Sequence, residues 1–241
     1  MEKLRNLANR VLRRKENTEG QWDPDAEQLS FVQTVPWEPN AAEIELLRRS
    51  WSNEPEFLNQ FGLDVYAHVF ERHPPIALLF HAIKKKPKRW RSSEQFAQHA
   101  RKFTEVLVYT LRNLENMCEV EQFLHELGVT HAAMSLPGFR IAYWELFKDA
   151  IFVTIRAHVS ELDDLTSDEK PMVLVYWNHL AEFIAQKMFY GFSEGVIIER
   201  RRTQQANQRP PISLFRRGER RLQFDASPKK AKTKAKAPDG K

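Results

Sequence analysis

The sequence predicts an all-α protein. Three observations carry that reading. Glycine is scarce, at 8 of 241 residues. Long stretches place apolar residues at the helical period. No run alternates apolar and polar residues between Asn-Gly or Asp-Gly turns, as a hairpin would.

The elements follow in order. Leu4, Leu7, Ala8, Val11 and Leu12 lie among Arg5, Arg10, Arg13, Arg14 and Lys15, the pattern of a basic amphipathic helix. Residues 16–39, with Asp23-Pro24 and Val35-Pro36, read as linker. The folded body opens at Asn40-x-x-Glu43, a capping box, with Ile44, Leu47 and Trp51 on one face. A second helix starts near Pro55, a good first-turn residue, and ends before His73-Pro74-Pro75. A short piece, Ile76 to Phe80, precedes a basic loop from Lys84 to Arg89. Ser92-x-x-Gln95 predicts a second capping box and a helix carrying Phe96, His99, Phe103, Leu107 and Leu111. The next helix holds Val120, Phe123, Leu124, Leu127 and His131. Ser135-x-Pro137 is expected to open a long helix with Phe139, Tyr143, Leu146, Phe147, Ala150 and Ile151 inward. Thr166-x-x-Glu169 opens the last, with Val173, Trp177, Leu180, Ile184 and Met188 inward. After Gly195 the pattern thins into a basic, Lys-rich tail that reads as disordered. The expected organisation is therefore a basic extension and linker over 1–39, a folded domain over 40–195, and a basic tail over 196–241.

Charge follows the same division. Net charge is +5 overall. Residues 1–15 carry a net +5 and residues 199–241 a net +10, which leaves −10 on the segment between. Two basic arms flank an acidic body. The arms could contact anionic membrane or nucleic acid, but only by non-specific, salt-sensitive attraction. A single cysteine, Cys118, excludes an intrachain disulfide and fits a reducing, cytoplasmic setting. No apolar run is long enough to span a membrane.

Two histidines stand out. At about 100° per residue, His99 lies roughly 40° from Phe103 and shares its apolar face. His131 points within about 20° of Val120, whereas His125 points about 140° away, toward solvent. A buried imidazole needs partners for both ring nitrogens. Two of them on neighbouring helices suggest a shared partner, a metal or haem.

Here the chain resembles the globins, over most of residues 40–195. Leu46-Leu47-Arg48-Arg49-Ser50-Trp51 is similar to the first globin helix. Tyr66-Ala67-His68-Val69-Phe70 through Pro74 to Phe80 matches the second helix, the turn proline and the phenylalanine that wedges against haem. His99-Ala100-Arg101-Lys102-Phe103 resembles the distal-histidine motif, and Leu127-Gly128-Val129-Thr130-His131 the proximal one. Trp177-Asn178-His179-Leu180 through Met188 to Gly191-Phe192 resembles the last helix. Neuroglobin-like and nematode globins are the nearest likeness. The segment from Ala132 to Gly138 departs from the pattern.

The resemblance implies a three-over-three helical sandwich with haem as cofactor. His131 becomes the proximal ligand, its other nitrogen donating to a backbone carbonyl near Leu127 or to the Thr130 hydroxyl. Phe80 and Phe103 become walls of the haem pocket. Tyr66 becomes a donor to bound dioxygen, and Lys102 a partner for a propionate. His99 has two states open to it: a hydrogen bond to an iron-bound gas, or direct ligation of the iron. Likeness to neuroglobin-like proteins favours ligation. The expected function is binding of dioxygen or another diatomic gas. Redox signalling through a six-coordinate iron, or a haem-free helical interaction module, are the alternatives. No acid–base constellation points to dedicated catalysis.

Overall fold

The computed structural model describes residues 37–80, 83–84, 87–134, 139–140 and 142–208. The expected N-terminal amphipathic helix, most of the linker, Ser135–Gly138 and the tail beyond 208 lie outside the described residues. Six α-helices and no strand occur among the described residues: α1 Ala41–Arg49, α2 Pro55–Arg72, α3 Glu94–Arg112, α4 Met117–Ala133, α5 Tyr143–Glu161 and α6 Glu169–Gln208. Two 3-10 turns, Pro74–Leu79 and Pro87–Ser92, separate α2 from α3.

Local chemistry sets most boundaries. The Asn40 side chain accepts from the Ala42 and Glu43 amides at 3.0 and 3.1 Å, and Glu43 accepts from the Asn40 amide at 3.1 Å. Thr166 and Glu169 exchange the same reciprocal bonds, at 2.9 and 3.2 Å, before α6. Each box satisfies amides that a helix start leaves without partners. The third expected box fails. Helix α3 starts one residue later, with Ser93 as an N-cap that makes no side-chain bond. The Ser92 hydroxyl instead donates to the Arg89 carbonyl at 3.1 Å, inside the preceding turn.

Two further expectations are corrected. Helix α5 begins at Tyr143 and not at Ser135-x-Pro137. Phe139 sits inward all the same, against Tyr143, Trp144 and Phe192, but from irregular backbone. The tail does not begin at 196, because α6 continues to Gln208. Val196 still packs on the core, and Arg202 pairs with Glu199 one turn back at 2.6 Å. Helix-forming residues sustain the helix after its apolar stripe has ended. Contacts divide the chain into two compact units, the first ending at Arg202 and the second beginning at Thr203.

Helix α2 lies against both α3 and α5. Its buried face runs Phe61, Val65, Tyr66, Val69 and Phe70. Polar ties also fasten α1, among them that of Arg49 to Glu169. Arg48 reaches the Leu111 and Arg112 carbonyls at the end of α3, both at 3.0 Å, and pairs with Glu115 at 2.6 Å. The fully buried Trp177 of α6 donates to the Ser50 hydroxyl at 2.8 Å. The linker's last stretch also joins the fold. Trp37 packs edge-on against His179 and Phe183 of α6, at 6.1 and 6.3 Å between ring centres.

Glycines set two helix crossings. A Cβ on Gly62 of α2 would lie 2.7 Å from the Ala100 carbonyl oxygen of α3. A Cβ on Gly128 of α4 would collide with the Met188 carbonyl of α6 and lie 2.8 Å from the Phe192 amide nitrogen. Ala100 is the residue after His99, and Gly128 lies one turn before His131. Each crossing therefore helps to place one of the two histidines.

Candidate haem site

His99 projects from α3 into a nest of aromatic rings. Its ring centre lies 5.1 Å from Phe80, 5.5 Å from Tyr66 and 6.3 Å from Phe96. The side chain is nevertheless accessible. Protein surrounds it on most sides while one side stays open. Burial among the rings holds its pKa below the ordinary histidine range, and the charges of His131 and Lys102 act the same way. The imidazole is therefore neutral at pH 7, as a metal ligand must be.

His131, on α4, lies close enough to His99 to lower its pKa electrostatically. Its Nδ1 lies 2.8 Å from the Leu127 carbonyl oxygen, one turn back. A carbonyl only accepts, so Nδ1 carries the proton and Nε2 keeps its lone pair. The Thr130 hydroxyl donates to the Glu126 carbonyl at 3.0 Å, and the His131 ring takes the Leu127 carbonyl as its partner. Burial also lowers the His131 pKa, against a smaller opposing effect of the Leu127 bond.

The other expected residues divide. Tyr66 is only 4% exposed, and burial pushes its pKa up, so the phenol stays protonated and can donate. Half-buried Phe80 packs edge-on against Tyr66 at 5.4 Å, and Phe103 does so at 5.7 Å. Lys102 is exposed, on the outer side of α3. His125 does not project freely into solvent. It lies against α6, half-exposed, with Nε2 3.1 Å from a Glu194 carboxylate oxygen. Tight packing of α4 on α6 at Gly191 presents it to Glu194, which helical angles alone could not show.

Three site residues escaped the sequence reading. Phe147 of α5 closes on Tyr66 and Phe103, at 5.2 and 6.3 Å. Trp90 packs on Phe70 and Phe96. Trp144 of α5 stands edge-on to His131 at 5.4 Å. The sequence pattern places only Phe147 inward and gives Trp90 and Trp144 no role.

The donor set fits haem better than a bare ion. Among the described residues no group of three or more His, Cys, Asp or Glu could hold a metal. Two neutral imidazoles leave most of an ion's shell unfilled, and a porphyrin supplies four further nitrogens. The aromatic nest provides the apolar surround that a macrocycle needs. A surface groove of about 600 Å³, lined by Ile44, Glu45, Arg48 and Leu114 among others, shares no residue with this site.

Comparison with known proteins agrees. The globin family model matches residues 63–188. A globin-related protein of Caenorhabditis elegans, glb-13, is 28% identical over 150 residues, covering 62% of this chain and 51% of that protein. Neuroglobin of Dissostichus mawsoni is 29% identical over 94 residues, covering 38% of this chain and 59% of that protein. The chain thus spans between half and three-fifths of the length of these relatives. Among solved structures, a hexacoordinated haem protein from an anhydrobiotic tardigrade superposes with a TM-score of 0.55 at 21% identity, over 66% of this chain and 99% of that one. The hexa-coordinate haemoglobin of Drosophila melanogaster superposes with a TM-score of 0.51 at 17% identity, over 63% and 94%. At such identities these two establish the fold. With the family model covering over half of its residues, the chain belongs to the globin family and haem is its cofactor.

Proposed function

We propose that this globin binds dioxygen or another diatomic gas at a haem iron held by His131, and that His99 closes the sixth position until a gas displaces it. The observation that carries the reading is the Nδ1 bond of His131 to the Leu127 carbonyl. It leaves Nε2 with its lone pair free to bind a metal. The same bond raises the basicity of Nε2, which strengthens it as a ligand.

Haem supplies the iron, with its affinity for a diatomic ligand. The remaining work falls to the chain. His131 holds the proximal side. Phe80, Phe103 and Phe147 exclude water from the cleft. Tyr66, protonated and held against Phe80 and His99, can donate a hydrogen bond to a gas in the place that His99 vacates. Lys102 offers its ammonium to a propionate at the solvent edge. The relatives superposed above are described as hexacoordinate, which supports the six-coordinate reading. Redox signalling is a second reading that such an iron would also serve.

The visible spectrum of the ferrous protein without added ligand tests this. Two nitrogen ligands give a low-spin centre with sharp, split bands. An open position gives a broad, high-spin band. His99→Leu should convert the first to the second. If the closed form holds 90–99% of the molecules, apparent gas affinity should rise about 10- to 100-fold. A wild-type ferrous protein that already shows the broad band would refute ligation by His99.

A further inference from the structure

We propose that Trp144 is the positioning residue that fixes the plane of the His131 imidazole, and through it the electronic state of the iron. This rests on the assignment of His131 as proximal ligand made above.

One hydrogen bond does not lock an imidazole. The Leu127 carbonyl restrains Nδ1, yet the ring can still swing about its Cβ–Cγ bond while keeping an acceptable bond. A second surface must stop that swing. Trp144 supplies one, with its ring centre 5.4 Å from that of His131 and the planes at 71°. This is the edge-to-face arrangement that aromatic pairs prefer.

Trp144 is itself held. It is 8% exposed and wedged by Phe139 at 5.4 Å and Phe192 at 6.4 Å. It lies in the first turn of α5, and that turn is anchored. The next residue, Glu145, pairs with Lys148, which also pairs with Glu182 of α6 at 2.8 Å. A charge cluster this buried costs heavily if any member leaves. The turn that carries the indole is therefore tied to the last helix on its far side.

The indole N–H plays no part in holding the ring. Its Nε1 is buried and has no hydrogen-bond partner. Burying an N–H without an acceptor is unfavourable, and phenylalanine would avoid that cost. The side chain acts here through its ring and not through a hydrogen bond.

The test compares haem-loaded, full-length variants by electron paramagnetic resonance of the ferric iron. That signal depends on imidazole orientation in either spin state. Trp144→Leu should shift or broaden the signal and speed haem loss to an excess of apo-acceptor by about 2- to 13-fold, the range of one aromatic pair. Trp144→Met serves if the leucine variant does not fold. Trp144→Phe keeps a ring and removes the buried N–H, so it should restore the wild-type signal. Ile155→Val is the structural control. Its side chain is fully buried in α5, so it should lower the melting temperature and leave the signal alone. A Trp144→Leu signal that superimposes on wild type, or one that Ile155→Val reproduces, would overturn the proposal. A wild-type signal in His131→Ala would instead sink the ligand assignment itself.

Discussion

Replacing Gly128 by alanine pits local preference against packing. In an exposed helix the change would stabilise by about 1 kcal/mol, because glycine surrenders more backbone freedom. Here the new methyl would collide with the Met188 carbonyl and sit 2.8 Å from the Phe192 amide nitrogen and 3.1 Å from the Gly191 Cα. All three are backbone atoms of α6, which cannot turn aside as a side chain can. Restoring ordinary contact requires the helices to part by roughly 1 Å, and cores resist such expansion. Overpacking of this kind costs about 1–3 kcal/mol, and rigid backbone places Gly128→Ala at the upper end. After the propensity gain, a net loss of about 1–2 kcal/mol is expected. For a domain of this size that is a fall of about 2–8 °C in Tm. His131 stands one turn further along α4, so haem loss should also quicken. Thermal unfolding and transfer of haem to an excess of apo-acceptor measure the two effects. A variant with a higher Tm and unchanged haem loss would refute the close crossing and its part in placing His131.

Three other outcomes are expected. His131→Ala should lose haem and with it the stability that bound cofactor adds, while His125→Ala should lose only an exposed pair with Glu194; equal haem affinities in titration would refute the ligand assignment. Burial holds six histidines (His68, His73, His99, His131, His158 and His179) below their ordinary value of 6.5, so the folded state binds fewer protons than the unfolded one. Stability from these groups is complete above pH 6.5 and is lost as the pH falls through their lowered values; a Tm that stays flat from pH 7 to pH 5 would contradict it. A chain of residues 37–208 should fold and hold haem, whereas one of residues 40–195 should be weaker, because it lacks Trp37 against His179 and Phe183 and the last turns of α6. Equal melting temperatures for the two would show that those contacts add nothing.

Much of the fold was legible because it is written in short-range patterns. Asn40-x-x-Glu43 and Thr166-x-x-Glu169 close as reciprocal hydrogen bonds, since both partners lie within one turn. Pro55 and the His73-Pro74-Pro75 break bound α2 by backbone sterics alone. His99 and His131 could be found because an imidazole in an apolar stripe is anomalous wherever it occurs. Ser92-x-x-Gln95 misled because a competing acceptor, the Arg89 carbonyl, lay in a turn that the pattern did not reveal.

By itself, then, the sequence determined most of the helices and their apolar faces, and singled out His99 and His131 as imidazoles in apolar stripes. Each follows from interactions between residues a few positions apart. Tertiary structure decided what those residues meet. The Leu127 carbonyl accepts the Nδ1 hydrogen bond of His131, while the Thr130 hydroxyl donates to Glu126. His125 lies against Glu194, and Trp144 rather than another aromatic residue stands against His131. Gly128 lies against the backbone of Met188, sixty residues along the chain. No local pattern specifies such partners. They are set when the helices pack at close density, and only then does an ordinary glycine or tryptophan acquire a position near His131.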